Sequence, residues 1–172
     1  MKIVLDTNVI VSGLLQSKGK PAQILALALS GAVQMCHNEP ILAEYSEVLA
    51  RPRFKFDARR VRDVLAKIRM DGLTVDASAM TKLELPDPDD EQFLAVALAS
   101  SADFLVTGNI ADYPHDKRRG CTVFTPADSR DFSFESFEGS ADVQRYEKKG
   151  TFSGKHHCGF WGSFAFGGSC RA

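Results

Sequence analysis

Short apolar runs alternate with longer amphipathic segments over the first 126 residues of the chain. The short runs predict strands, at residues 3–5, 33–36, 73–75, 104–106 and 121–124. Apolar residues at helical spacing predict helices, over about 21–30, 38–49, 57–70 and 93–99. Because the connections are long enough for crossovers, this alternation predicts an α/β fold with a mostly parallel sheet flanked by helices.

The pattern stops at about residue 126. The 47 residues from 126 to 172 contain one valine and no leucine, isoleucine or methionine, yet they hold seven of the 12 phenylalanines and seven of the 13 glycines. Packed cores rely on leucine, isoleucine and valine, so this segment cannot continue the core of the preceding part. We therefore predict a domain over residues 1–126 and a phenylalanine-, glycine- and serine-rich tail of poor order over residues 127–172.

Composition and charge exclude several classes of protein. The 172 residues are 44% hydrophobic and 25% charged with a net charge of −1, which is typical of a soluble globular protein without a global attraction for nucleic acids. The longest apolar run, 93–99, is far shorter than the ~20 residues that a transmembrane helix needs. The four cysteines include no Cys-x-x-Cys pair, so we expect reduced thiols and a cytoplasmic location.

Polar residues stand at the predicted carboxyl ends of two strands, where parallel α/β sheets bind their ligands. Asp6 follows the first strand and Asn109 follows the strand at 104–106, while Glu44 lies near the start of a helix and Asp90 opens another. Carboxylates without histidine or cysteine are the ligand set of hard cations such as Mg²⁺ or Mn²⁺. Each of these residues also has a purely structural interpretation, as a turn former, a helix cap or a solvent-exposed helix position.

Four sequence motifs sharpen the functional interpretation. They are Ile-Val-Leu-Asp-Thr-Asn-Val at 3–9, Ile-Leu-Ala-Glu-Tyr at 41–45 with Val-Leu-Ala-Arg-Pro at 48–52, Asp-Pro-Asp-Asp-Glu-Gln-Phe-Leu-Ala-Val-Ala at 87–97, and Phe-Leu-Val-Thr-Gly-Asn at 104–109. In this order they resemble the motifs of PIN-domain proteins, ribonuclease-like domains that are common as toxins of bacterial and archaeal toxin–antitoxin pairs. The resemblance covers residues 1–126 and gives the tail no counterpart.

The resemblance implies a three-layer α/β sandwich and a metal-dependent endonucleolytic cleavage of RNA. Four acids would hold Mg²⁺ or Mn²⁺, which activates water for attack on a phosphodiester: Asp6, Glu44, Asp90 and Asp112. Three polar neighbours would support these acids by hydrogen bonding: Thr7, Asn8 and Asn109. Among them, Thr7 or Asn8 is expected to act on Asp6.

Asn109 departs from the family pattern, in which many members have an aspartate at this position. An amide oxygen can bind a metal but brings no charge, so the metal affinity is expected to be weaker, and Asp112 is placed to serve instead. The alternative function is therefore a PIN-like module that binds RNA or protein with weak or no catalysis. A haloacid-dehalogenase-like phosphatase also begins with an aspartate after a first strand, but it requires a second aspartate where Asn8 stands.

A basic stretch supplies countercharge for RNA. Residues 51–70 carry eight lysines and arginines against two aspartates, a local charge of +6. Within it, we predict that Arg59, Arg60 and Arg62 contact RNA phosphates. The same charge suits an acidic segment of an antitoxin protein, and a solvated helix face is the plain structural alternative. By resemblance, we also expect a homodimer.

Overall fold

The computed structural model of the chain describes residues 1–16, 18–80 and 82–128. The chain divides into two units, Met1–Ser133 and Phe134–Ala172, and every described residue belongs to the first. The predicted tail lies almost wholly outside the described residues, so its boundary and its poor order stay predictions. Both cysteines of the described part are free thiols. Within the described ranges, no helix combines the length and the apolar character needed to cross a membrane.

A parallel sheet forms the centre of the described domain. Its strands, in chain order, are β1 (Lys2–Leu5), β2 (Gln34–His37), β3 (Leu73–Thr74), β4 (Phe104–Val106) and β5 (Val123–Phe124). The helices are α1 (Thr7–Leu15), α2 (Lys20–Ser30), α3 (Glu39–Leu49), α4 (Ala58–Asp71) and α5 (Glu91–Ser100). All pairings among these strands are parallel, and their order across the sheet is β3-β2-β1-β4-β5. The predicted α/β class, with a parallel sheet flanked by helices, is therefore confirmed.

The strand order determines where a ligand site can form. β1 lies in the middle of the sheet, with β2 and β3 on one side and β4 and β5 on the other. Connections that leave β1 and β4 in opposite directions open a crevice at the carboxyl ends of these strands, where such sheets bind their ligands. The amide of Asp6 donates to the carbonyl oxygen of Val106 at 2.9 Å. The residues that follow β1 and β4 therefore lie side by side.

Local interactions confirm several predicted helix ends. The Asn38 side chain accepts a hydrogen bond from the Ile41 amide at 3.0 Å, and the Asp57 side chain accepts one from the Arg60 amide at 2.8 Å. These two caps begin α3 and α4 as predicted. Gly31 ends α2 in the left-handed conformation, with a φ of 79° that favours glycine.

α1 is the helix that the sequence pattern did not predict. The β-branched residues at 9–11 have low helix propensity and resemble a continued strand. The helix forms because the Asp6 carboxylate accepts a hydrogen bond from the Asn8 amide, and because residues 9–11 and Leu14 are buried. Capping and burial therefore outweigh propensity, and the aspartate that follows β1 also begins α1.

Two aromatic residues dock α3 and α5 beside the end of β1. Tyr45 of α3 is fully buried, donates its hydroxyl to the carbonyl oxygen of Leu5, and stacks on Phe93 of α5 with ring centroids 6.3 Å apart. The hydrogen bond joins α3 to the last residue of β1, directly before Asp6. Glu44, the neighbour of Tyr45 in the sequence, is thereby held at the carboxyl edge of the sheet.

Candidate active site

Asp6 lies at the carboxyl end of β1 with only 4% of its surface exposed. Its Oδ2 accepts hydrogen bonds from Thr107 Oγ1 and Asn8 Nδ2, both at 2.7 Å, and its Oδ1 accepts one from the Asn8 amide at 3.2 Å. Burial raises the pKa of Asp6, and the hydrogen bonds from Thr107 and Asn8 partly oppose that rise. The carboxylate therefore has a fixed orientation at the crevice between β1 and β4.

Asn8 bridges the segments that follow β1 and β4. Its Nδ2 donates to Asp6, while its Oδ1 accepts a hydrogen bond from the Gly108 amide at 2.6 Å. A Cβ atom added at Gly108 would lie only 2.8 Å from Asn8 Oδ1, so this close approach favours glycine. One side chain thus holds Asp6 and joins two positions that are 100 residues apart in the sequence.

Glu44 receives hydrogen bonds at both of its carboxylate oxygens. Thr7 Oγ1 donates to Oε1 and Gln92 Nε2 donates to Oε2, each at 2.5 Å. Burial raises the pKa of Glu44, the hydrogen bond from Thr7 opposes the rise, and the charge of Asp6 adds to it. Of the two residues expected to support Asp6, Asn8 does so, whereas Thr7 contacts Glu44 instead.

Asp90 closes a 3-10 turn, Pro88–Asp90, directly before α5. Burial raises the pKa of Asp90 to about 7, and the negative charges of neighbouring acids, including Asp6, Asp112 and Glu44, add to the rise. The Asp90 side chain makes no capping hydrogen bond to α5. A helix cap, which is the structural interpretation that the sequence offered for this residue, therefore does not account for it. Its carboxyl group instead lies within the electrostatic reach of acids from three other segments.

Asp112 ends a further 3-10 turn, Ile110–Asp112, beyond β4. Asn109 Nδ2 donates to Asp112 Oδ2 at 2.6 Å. The charge of Asp112 acts in turn on the carboxyl groups of Asp6 and Asp90 and raises the pKa of both. Asn109 therefore orients an acid of the cluster and contributes no charge of its own.

The donor set suits a hard divalent cation by its chemistry. The acids offer only oxygen, and their crowding disfavours the fully ionised state without a cation. Tyr113 is buried beside them, has a hydroxyl with no hydrogen-bond partner among the described residues, and lies within the electrostatic reach of Asp6, Asp90 and Asp112. As positioned in the described ranges, no three acidic, histidine or cysteine side chains converge closely enough to hold a metal ion. Coordination by three of the acids therefore requires side-chain rotation.

The predicted RNA-binding arginines lie in the first turns of α4. Arg59 and Arg62 are exposed, whereas Arg60 is half-buried. Other basic residues of the stretch 51–70 are paired with acids: Arg51 with Glu47 at 3.0 Å, Arg69 with Glu39 at 2.7 and 2.9 Å, and Lys67 with Asp71. The charge that a ligand can use is therefore smaller than the +6 counted along the sequence.

Comparison with known proteins adds the family. The sequence matches the family model described as a PIN domain over residues 2–111. The chain belongs to the PIN-domain family. Solved structures with a similar fold include VapBC2 from Rickettsia felis bound to a DNA fragment from their promoter (TM-score 0.51, 19% identity, 73% of this chain and 98% of that chain). Another is FitAcB from Neisseria gonorrhoeae (TM-score 0.51, 18% identity, 73% of this chain and 99% of that chain).

These structural likenesses concern the fold alone, given their low sequence identity. No match was found among curated proteins.

Two polar residues of the site in this PIN domain were not predicted from the sequence, Thr107 and Gln92. Thr107 directly follows β4, so its place at a strand end was the available signal. Gln92 carries no comparable signal, because its contact with Glu44 depends on how α5 packs against α3. Sequence position therefore indicates which residues reach the sheet edge but not which side chains meet there.

Proposed function

We propose that this PIN domain is a divalent-metal-dependent endoribonuclease and the toxin of a type II toxin–antitoxin pair. The observation that carries the proposal is that acids from three separate segments, Asp6, Glu44 and Asp112, all act electrostatically on the carboxyl group of Asp90. Such a cluster lowers its own energy by taking up a cation. Membership of the PIN-domain family supports the reaction class.

In this proposal the four acids hold Mg²⁺ or Mn²⁺. When bound, such a cation activates water and neutralises the charge that develops as a phosphodiester is cleaved. The chain prepares the site through hydrogen bonds, since Asn8 and Thr107 fix the Asp6 carboxylate before any ligand arrives. Asp90, with a pKa of about 7, is partly protonated near neutral pH and releases its proton when positive charge enters the cluster.

Cleavage of a fluorescently labelled single-stranded RNA under metal titration tests the proposal. We expect cleavage with Mg²⁺ or Mn²⁺, loss of cleavage when EDTA removes the metal, and recovery when metal is added in excess of the chelator. Folded protein that leaves the RNA intact at every metal concentration would contradict the proposed reaction.

The start of α4 offers a path for the RNA. Arg59 and Arg62 are exposed there. In the preceding segment, the guanidinium carbon of Arg53 lies 4.5 Å from the centroid of the Phe54 ring. Phe54 and Phe56 are themselves stacked, with ring centroids 5.5 Å apart. Cations beside flat aromatic rings suit the phosphates and the unpaired bases of a single strand.

Arg59→Ala combined with Arg62→Ala is expected to weaken RNA binding by about 10-fold at physiological salt. Each phosphate contact in a single strand contributes about 0.7 to the slope of log affinity against log salt, so this slope should fall by about 1.4. Fluorescence anisotropy in EDTA measures both quantities without cleavage. Lys18→Ala removes an exposed positive charge elsewhere and serves as the control. A double variant with the slope of the parent protein would exclude these arginines as phosphate contacts.

The alternative function is a PIN module that binds RNA or protein with weak or no catalysis. Two observations favour it. Asn109 brings a neutral amide to the cluster, and the acids of the described part do not converge as ready-made metal ligands. RNA binding without cleavage in the metal-titrated assay would support this alternative over the nuclease.

The proposal extends to the partners and the location of the protein. A toxin of this kind acts with an antitoxin, and the exposed Arg59 and Arg62 suit an acidic segment of such a partner as well as they suit RNA. We further propose that the protein is a homodimer, which follows from the resemblance described above, and that it acts in the cytoplasm, which follows from its cysteine content.

A further inference from the structure

The side-chain amide of Gln92 uses both of its hydrogens at the candidate site. Gln92 Nε2 donates to Glu44 Oε2 at 2.5 Å and to the carbonyl oxygen of Asp89 at 3.0 Å. Both partners are acceptors only, so the nitrogen of the amide must face them and its orientation is determined. Gln92 therefore ties the Glu44 carboxylate to the turn that carries Asp90.

Other hydrogen bonds also hold the turn and the segment before it. Asp87 already accepts a hydrogen bond from the Asp89 amide at 3.0 Å. Glu91 accepts further hydrogen bonds from the backbone amides of Leu83 and Leu85, at 3.4 and 3.3 Å, and so fixes the segment that leads into the turn. What Gln92 adds to these interactions is control over the position of Glu44.

Glu44 is held from two sides. Thr7, at the start of α1, donates to one carboxylate oxygen, and Gln92, in the first turn of α5, donates to the other. Each carboxylate oxygen has two lone pairs, so each keeps one for another partner after accepting these hydrogen bonds. The two hydrogen bonds therefore orient the carboxylate and still leave both of its oxygens able to bind a cation.

We propose that Gln92 is a positioning residue that fixes the Glu44 carboxylate at the carboxyl edge of the sheet and thereby strengthens the binding of a divalent cation. The catalytic meaning of this role rests on the proposed function, whereas the orientation of Glu44 does not. Outer partners of metal-binding side chains typically contribute about 10- to 100-fold to metal affinity. Since Thr7 continues to hold one oxygen when Gln92 is lost, we expect an effect near the lower end of this range.

Gln92→Met tests the role, because methionine keeps the length and helix propensity of glutamine but cannot donate a hydrogen bond. We expect the variant to bind Mn²⁺ about 10-fold more weakly by isothermal titration calorimetry. We also expect RNA cleavage to show a lower kcat with an unchanged KM for RNA. Thr7→Val should weaken Mn²⁺ binding to a similar degree. In the double variant, the fold-loss of Mn²⁺ affinity should be smaller than the product of the two separate fold-losses. Gln23→Met, on the exposed side of α2, is the matched control and should change none of these quantities.

A metal-free measurement keeps this inference separate from the proposed function. The ¹H–¹⁵N resonances of the Gln92 side-chain amide, identified by their loss in Gln92→Met, should shift when Glu44 is replaced by alanine. Absence of that shift would overturn the positioning role, as would unchanged Mn²⁺ affinity in folded Gln92→Met. Parent protein that neither binds Mn²⁺ nor cleaves RNA, while the amide shift is present, would reject both the nuclease and the effect of Gln92 on cation binding, and would leave only the orientation of Glu44 by Gln92.

Discussion

Replacement of Asp6 by asparagine is expected to slow RNA cleavage by more than about 100-fold while the protein stays folded. Asparagine keeps the size of the side chain but removes the charge that a cation would meet. Loss of one of the three hydrogen bonds that the carboxylate accepts costs about 1 kcal/mol. Relief of repulsion from the neighbouring acids offsets that loss, so the free energy of unfolding should stay close to that of the parent protein.

Single-turnover cleavage of labelled RNA at saturating Mg²⁺ measures the effect on the chemical step, and urea denaturation measures stability in the same preparations. Asp116→Asn is the control, because Asp116 is an exposed aspartate outside the cluster. Undiminished cleavage by folded Asp6→Asn protein would remove Asp6 from the reaction and with it the central element of the proposed site.

Asp90→Asn is expected to stabilise the metal-free protein at high pH, and to do so less as the pH falls. The folded protein holds the Asp90 proton with a pKa of about 7, against an ordinary value of 3.8 in the unfolded chain. The parent protein therefore loses stability as the pH rises from about 4 to about 7, and the loss is complete above that range. Asparagine does not titrate, so the variant escapes this loss.

The size of this effect follows from the pKa difference. A rise from 3.8 to about 7 corresponds to about 4 kcal/mol for a fully buried group, and solvent screening of the half-buried Asp90 reduces this to about 1–2 kcal/mol. At pH 8 the melting temperature of the variant should exceed that of the parent protein by about 5 °C, and the two should converge toward pH 4.

Differential scanning fluorimetry across this pH range, with and without Mg²⁺, measures the melting temperatures. Mg²⁺ should raise the melting temperature of the parent protein at pH 8 more than that of the variant, because binding to the folded state relieves the same repulsion. Cleavage by Asp90→Asn should fall by more than about 100-fold. Identical melting temperatures for the two proteins at every pH would mean that ionisation of Asp90 does not destabilise the folded protein.

The sequence predicted most of the fold because its signals are local. Asn38 and Asp57 cap α3 and α4 where the pattern placed them, and Gly31 ends α2 through its own backbone conformation. α1 was missed because its β-branched residues favour a strand, while the burial that favours the helix depends on the rest of the chain. The tail lies outside the described residues, so its predicted boundary stays a prediction.

The sequence allowed the acids of the candidate site to be predicted, but not the hydrogen-bond partner of each acid. Asp6 follows a strand end and therefore has a place in the sheet that the sequence reveals. Thr7 or Asn8 was expected to support Asp6; Asn8 does so, whereas the first turn of α1 directs the Thr7 hydroxyl to Glu44. Gln92 reaches Glu44 from a different helix, a contact that no sequence spacing encodes. Tertiary packing, rather than local pattern, decides which partner each acid receives.

The bridge from Asn8 to Gly108 has a consequence for how the site comes into being. The two residues are separated by 100 positions, and the acids of the cluster are drawn from a similar span of the chain. β4 must pair with β1 before Thr107 and Asn8 can both reach Asp6. A nascent chain that has emerged only as far as α5 therefore carries three of the four acids but lacks the strand that orders them. Under the proposed function, the ability to cleave RNA would arise only late in synthesis, when nearly the whole domain has left the ribosome.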